Sequence, residues 1–213
     1  MKLSVNAFLS LDGVMQGPGG VDEDRRGDFD RGGWLVPHVD EDFGAIVEGD
    51  WFSQADAVLL GRSTYEMMQP YWTKVTDPDD LVATVLNTYP KYLVSTSLTD
   101  ETATWDNTTL ISDEVLERVR RLKDAPGREL QVHGSLQLAR TLHDAGLVDI
   151  YRLLIFPVVV GTGRRLFDDR STPVTFEVVE RKSTAAGVTA LTMHAKPFAT
   201  GTVGVPDDTA VGA

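Results

Sequence analysis

The chain has 213 residues, 42% apolar and 24% charged, which is ordinary for a folded globular domain with a substantial core. Its 20 basic and 32 acidic residues leave a net charge of −12, which argues against nucleic acid as a main partner while allowing a local basic pocket for one small anion. Cysteine is absent, so disulfides and thiolate chemistry are excluded and a reducing compartment is compatible.

The first stretch, "KLSVNAFL" (2–9), alternates partly and predicts a strand, not a signal peptide. Residues 12–34 are rich in Gly and Asp and predict a loop, of a length that is usually functional or disordered. Residues 39–54 predict a helix that puts Phe43, Ile46 and Val47 on one side. "ADAVLLG" (55–61) reads as a strand. It is followed by a helix in which Ser63 and Glu66 have capping-box spacing. A short helix over 79–89 and a strand over 91–96 come next. Residues 112–124 then predict a helix capped by Ser112, with acids in its first turn and Arg120, Arg121 and Lys123 in its last.

"ELQVH" (129–133) predicts a strand and 134–146 a helix closed by Gly146. The apolar run 149–161 is interrupted by Pro157, giving one bent strand or two. Residues 174–183 and 187–197 predict a hairpin that turns near Ala185–Gly187. This order implies an α/β domain whose mixed sheet is parallel at its centre and antiparallel at one edge. A single domain over 1–198 and a flexible tail over 199–213, poor in large side chains, are expected. No run approaches the 18 apolar residues of a membrane span.

In "GRSTYE", a strand runs straight into a helix, whose free N–H groups and positive dipole end attract anions. Gly61 would let the backbone come close, Ser63 and Thr64 add hydroxyls, and Arg62 adds a forked cation. The same residues also fit an ordinary helix start with a solvated arginine. "ELQVHGSLQLA" repeats the form, with Gly134 and Ser135 at the junction, and two such junctions can converge at the carboxyl edge of an open sheet. Gly134 is equally compatible with a simple tight turn. Ser95, Thr96 and Ser97 follow a strand end, where they would bind phosphate oxygens or mark a turn.

"VVVGTGRRLF" (158–167) is rejected as a dinucleotide fingerprint. It has no third glycine, no clear helix after it and no acid at the usual spacing of about twenty. Gly161 and Gly163 would serve a turn or a ligand's close approach, and Arg164 and Arg165 an anion or solvent. Asp12 is the candidate catalytic residue. At the end of the first strand it would hold a substrate amine, relay a proton or form a turn with Gly13. Asp40, Glu41 and Asp42 open a helix, where the dipole favours acids anyway. The four histidines lack metal-ligand spacing. His133 is placed either to touch a ligand or to pack in the core. Trp34, Trp51, Tyr71 and Trp72 would wall a pocket or fill the core.

"SLDGVM" (10–15), "ADAVLLGRSTYEMM" (55–68), "YLVSTSL" (92–98), "LQVHGSLQLARTL" (130–142) and "LVDIYRLLIFPVVVGTGRRLF" (147–167) carry a resemblance over about residues 2–197. The chain resembles the dihydrofolate reductase-like superfamily. Within it, the chain is most similar to stand-alone proteins like the reductase domain of the bifunctional riboflavin-biosynthesis deaminase–reductase. The resemblance implies a three-layer fold, with helices on both faces of a central, mostly parallel mixed sheet, and a site for NADPH. It puts Arg62, Ser63 and Thr64 at the cofactor phosphates and Ser95 and Thr96 toward the adenosine 2′-phosphate. Gly134, Ser135, Gln137 and Leu138 fall along the pyrophosphate, His133 beside them, and Asp12 at the nicotinamide and substrate end. There are departures: dihydrofolate reductases carry Gly-Gly where this chain has Gly134-Ser135, and Asp40, Glu41 and Asp42 do not align with their folate-binding acid.

The expectation is an NADPH-dependent reductase of a small polar heterocycle, pterin-like or ribosylaminopyrimidine-like, cytoplasmic and homodimeric. A non-catalytic NADP(H)-binding sensor and a ligand-free scaffold are the alternatives.

Overall fold

In the computed structural model, which describes residues 1–203, eight strands form one sheet. They are β1 (Lys2–Ser10), β2 (Ala55–Gly61), β3 (Lys91–Val94), β4 (Thr108–Ile111), β5 (Glu129–His133), β6 (Ile150–Phe156), β7 (Val174–Ser183) and β8 (Thr189–Pro197), in the order β4-β3-β2-β5-β1-β6-β8-β7. The first six run parallel and the last two pair antiparallel, as the sequence order implies. The sheet continues through Pro197; of the expected tail, residues 204–213 lie outside the described residues.

Five α-helices cover the faces: α1 (Glu41–Ile46), α2 (Arg62–Trp72), α3 (Leu81–Thr88), α4 (Val115–Asp124) and α5 (Leu136–Asp144). One face is mainly apolar: Leu3, Val5, Ala7 and Leu9 of β1 pack with Leu130, Val132, Leu138, Leu142 and Leu153. On the other face Val58, Leu60 and Phe156 pack with Trp34, Trp51, Phe52 and Tyr65. β2 and β6, buried on both sides, match near-continuous apolar runs in the sequence, whereas β1 and β5 alternate.

Four expectations change. Strand β4 has no counterpart in the sequence reading. Its four residues, "TTLI", form a partly exposed edge beside β3, too short to show a period. The two expected N-caps also fail. Gly61 is the N-cap of α2, so Ser63 falls inside the first turn and makes no cap bond. Helix α4 begins at Val115 behind Glu114, whose φ is +44°, so Ser112 lies too far back to cap it. Asp113 instead pairs with Arg118 at 2.7 Å. Finally, the helix expected over 39–54 changes its winding. It is α over Glu41–Ile46, π over Val47–Trp51 and 3-10 over Phe52–Gln54. Asp40 caps it through Phe43 N at 2.8 Å. Ile46 is buried, and Phe43 and Val47 pack beside it, as the spacing predicts.

The long loop is fastened rather than slack. Trp34 donates its indole N–H to Gln16 O at 2.8 Å, and Gln16 donates to Arg26 O at 2.8 Å. Phe29 is buried, and a side chain on Gly163 would come within 2.7 Å of its ring.

Candidate functional site

Strands β2 and β5 are neighbours, and each ends directly in a helix, so their two junctions meet at the carboxyl edge of the sheet. They are stitched to each other. Gly61 N donates to Ser135 Oγ at 2.8 Å, and Ser135 N donates to Thr64 Oγ1 at 2.9 Å. Gly134 and Ser135 both have left-handed φ, +59° and +55°. Glycine adopts that backbone freely; for serine it costs about 1 kcal/mol, which its hydroxyl bond to Gly61 helps offset. A Cβ on Gly134 would lie 3.3 Å from the Thr64 methyl, a tight contact that glycine avoids. The N-termini of α2 and α5 therefore open side by side, with two sets of free N–H groups and two positive dipole ends.

Two cations flank this edge. Arg62 donates to Ser97 Oγ at 2.9 Å, lies 3.7 Å from Glu66 and is half exposed. Arg26, from the long loop, donates to Ser63 Oγ at 2.9 Å. Ser95 is buried and accepts from Ser97 N and Leu98 N at 3.2 and 3.0 Å, which shapes the turn after β3; Thr96 is exposed beside it. Gln137 is exposed in the first turn of α5, whereas Leu138 turns into the core. The structure thus brings Gly61, Arg62, Ser63, Thr64, Gly134, Ser135 and Gln137 to one edge, with Ser95 and Thr96 next to them.

His133 stands apart. It is buried beneath the junction, stacked on Phe52 with ring centroids 4.3 Å apart, and its Nε2 bonds Gln131 Oε1 at 2.9 Å. Burial first, and then the Arg152 charge, push its pKa down to about 3, so the ring is neutral.

Asp12 lies at the end of β1 and is fully engaged. Its carboxylate accepts from Ser10 Oγ at 2.7 Å, Val160 N at 3.0 Å, Gly161 N at 2.8 Å and Arg165 at 3.2 Å. Partial burial raises its pKa, but the hydroxyl and amide donors win and hold it down to about 2. Arg164 pairs with Asp24, and Arg165 with Asp12. Both arginines of the rejected fingerprint therefore serve to fasten loops. Asp40 and Asp42 accept from Ala186 N at 2.8 Å and Ala185 N at 3.0 Å, tying the start of α1 to the β7–β8 turn. Trp34 and Trp51 belong to the core, while Tyr71 is exposed.

Sequence reasoning missed Arg26 as a member of this edge. It is 37 residues from its partner Ser63, and no local pattern links them. Ser97 was visible in "VSTSL", but its pairing with Arg62 is tertiary. Among the described residues there is no group of three His, Asp or Glu side chains placed to hold a metal ion, and no helix is long and apolar enough to cross a membrane.

The family model described as the RibD C-terminal domain matches residues 1–190. The uncharacterized protein YyaP of Bacillus subtilis (strain 168) is 29% identical over 196 residues, covering 91% of this chain and 94% of its own. YwjB of the same organism, also uncharacterized, is 28% identical over 120 residues, 56% of this chain and 63% of its own. Among solved structures, a putative riboflavin biosynthesis protein from Shewanella sp. PV-4 superposes with a TM-score of 0.66 at 22% identity, covering 92% of this chain and 99% of its own. A pyrimidine reductase-like protein from Corynebacterium diphtheriae NCTC gives 0.59 at 15% identity, covering 92% of both chains. At these identities the two structures establish the shared fold.

Proposed function

The chain belongs to the RibD C-terminal domain family, and from that premise we propose that it is an NADPH-dependent reductase of a small polar heterocycle, pterin-like or ribosylaminopyrimidine-like. The observation that carries the reading is the stitched pair of strand-to-helix junctions with Arg62 and Arg26 beside them. Two adjacent helix N-termini, a glycine-lined approach and two guanidinium groups are a donor set that fits a dinucleotide diphosphate with an extra phosphate. The two structural neighbours, a putative riboflavin biosynthesis protein and a pyrimidine reductase-like protein, point the same way.

In this reading Ser63, Thr64, Gly134, Ser135 and Gln137 hold the diphosphate with backbone N–H groups and hydroxyls. Arg62, with Ser95 and Thr96, takes the 2′-phosphate, and Leu138 fixes α5 to the core. NADPH would supply the hydride; the protein supplies position and electrostatics. Asp12 remains a carboxylate and holds loop 158–165 against the end of β1, so its part in turnover is positional. The exposed edge strand β7, with Val178 and Val179 facing solvent, is the surface we assign to a homodimer contact.

The test is the oxidation of NADPH by the purified protein, followed by nicotinamide absorbance against a panel of pyrimidine and pterin substrates. Substrate-dependent oxidation is expected. Tight NADPH binding with no oxidation across the panel would favour a non-catalytic NADP(H)-binding sensor, and no binding at all would contradict both.

A further inference from the structure

Strand β3 opens on a lysine that the fold buries: Lys91 is 1% exposed. A buried ammonium ordinarily sits among a carboxylate or several acceptors. Among the described residues Lys91 Nζ makes a single hydrogen bond, to Tyr89 O at 3.3 Å, so most of its donors are unspent. Its register partners are Val58 of β2 and Thr108 of β4, and the Thr108 hydroxyl is buried without a partner as well. What faces the ammonium is a ring. Nζ lies 5.1 Å from the centre of the Trp105 indole. The Asp106 carboxylate, next along the chain, is the charge that acts on it. Helix α3, which accepts the indole N–H, carries no charged residue. Arg62 and Glu66 of α2 lie beside each other at 3.7 Å, half exposed.

Trp105 does more than cover this lysine. Its backbone N–H donates to the Tyr65 hydroxyl at 2.7 Å, and its indole N–H to Asn87 Oδ1 at 2.9 Å. Tyr65 follows Arg62, Ser63 and Thr64 in α2. Segment 95–107, which joins β3 to β4, is bonded to α2 at three points: Trp105 to Tyr65, Gln69 to Thr104 at 2.9 Å, and Arg62 to Ser97 at 2.9 Å. The segment thus starts with Ser95, Thr96 and Ser97 beside Arg62 and ends on the contact between Trp105 and Lys91. A cavity of about 570 Å³, lined by Thr104, Trp105 and Asp106 with Thr84 and Asn87 of α3, lies against it and leaves it room to shift.

Burial pushes the Lys91 amine down to about 8, against the pull of Asp106. The charged form prevails near pH 7 and is lost as pH rises through that value.

We propose that Lys91 is a positioning residue for the cofactor: its ammonium holds Trp105, and through Trp105 it sets segment 95–107 and the start of α2, where the phosphates bind. The proposal rests on the NADPH reading and adds a pH dependence to it. The neutral amine stays in the core but loses the attraction to the indole, which comes from its charge. NADPH affinity therefore falls as Lys91 gives up its proton. Stability moves the other way. Unfolding restores the ordinary lysine value of 10.5, so between about 8 and 10.5 the unfolded chain binds more protons, and stability rises with pH across that window. A lysine that served the core alone would give the second trend without the first.

The test is titration with NADPH at pH 7 and pH 9, read by tryptophan fluorescence beside thermal unfolding. It uses wild type and two uncharged variants, Lys91→Met and Lys91→Gln. Between the two pH values wild type should lose about fivefold or more in NADPH affinity relative to the variants, while its Tm rises relative to theirs. Binding to wild type at pH 8 should also take up protons, measured in weakly buffered solution, and the variants should lose that uptake.

A flat NADPH affinity in wild type, or the same pH dependence in a folded variant, overturns the proposal and leaves the cofactor reading standing. So does NADPH binding at pH 8 without proton uptake. Failure of folded wild type to bind NADPH at either pH overturns both.

Discussion

The two faces of the sheet are cut from the same strands, yet they differ in kind. On the side of α4 and α5, β1, β5 and β6 contribute Leu3, Val5, Ala7, Leu130, Val132 and Leu153, an apolar layer whose one polar group along these strands is the Tyr151 hydroxyl, bonded to His143 at 2.7 Å. On the opposite side the intervening residues include Ser4, Asn6, Glu129, Gln131, His133 and Arg152, all buried, beside the apolar Phe8, Leu154 and Phe156. Alternation along a strand lets one segment serve both purposes. The difference teaches where each kind of work is done: the apolar face supplies stability, and the polar face carries charges and unspent donors that burial penalises.

The sharpest way to break that comparison is to cut the polar face at its ion pair. Arg152→Met alone strands the Glu129 carboxylate in the core and should cost about 3–5 kcal/mol in urea unfolding. Arg152→Met with Glu129→Gln should recover most of the loss. A single variant of near wild-type stability would show that water already reaches the pair. On the apolar face, Leu130→Ala should cost about 3 kcal/mol and leave binding of NADPH unchanged in proportion to folded protein; altered affinity would show that the faces are not separable.

A smaller effect belongs to the loop anchors. Asp12 and Asp24 are both held down to about 2, against burial: Asp12 mainly by Ser10 and backbone N–H groups, Asp24 mainly by Arg26. A depressed carboxyl contributes stability that is complete above its unfolded pKa, near 3.8, and is lost as pH falls through about 2. Trp34 fluorescence should therefore report loosening of loop 11–35 across that acid range, and Asp12→Asn should weaken its pH dependence. Asp12→Asn should also cut turnover while leaving cofactor affinity nearly unchanged; unaltered turnover would remove Asp12 from the mechanism.

Much of this architecture was legible in the sequence, for reasons that particular residues make plain. β2 is a short apolar run ending in Gly61 and β5 an alternating run ending beside Gly134, and Gly146 closes α5 with φ +64° as a helix-stopping glycine should. The hairpin of β7 and β8 turns where the sequence places it. What escaped is what only tertiary contact decides. Strand β4 is defined by its pairing with β3, not by its own composition. The N-cap of α2 shifted to Gly61 because the junction is shaped by Ser135 from another element. Arg26 reaches Ser63 across the fold. Asn6 left a trace that is clear only in retrospect: the partial alternation of "KLSVNAFL" is the polar row itself.

The most direct measurement of the central claim is titration of wild type and Arg62→Ala with NADPH and NADH, read by intrinsic fluorescence. The account predicts that wild type binds NADPH clearly more tightly than NADH. It also predicts that Arg62→Ala loses about tenfold for NADPH, as expected for one charge-assisted contact, with little change for NADH. Equal losses for the two, or binding of neither, would contradict the assignment of the paired junctions to a phosphorylated nicotinamide dinucleotide.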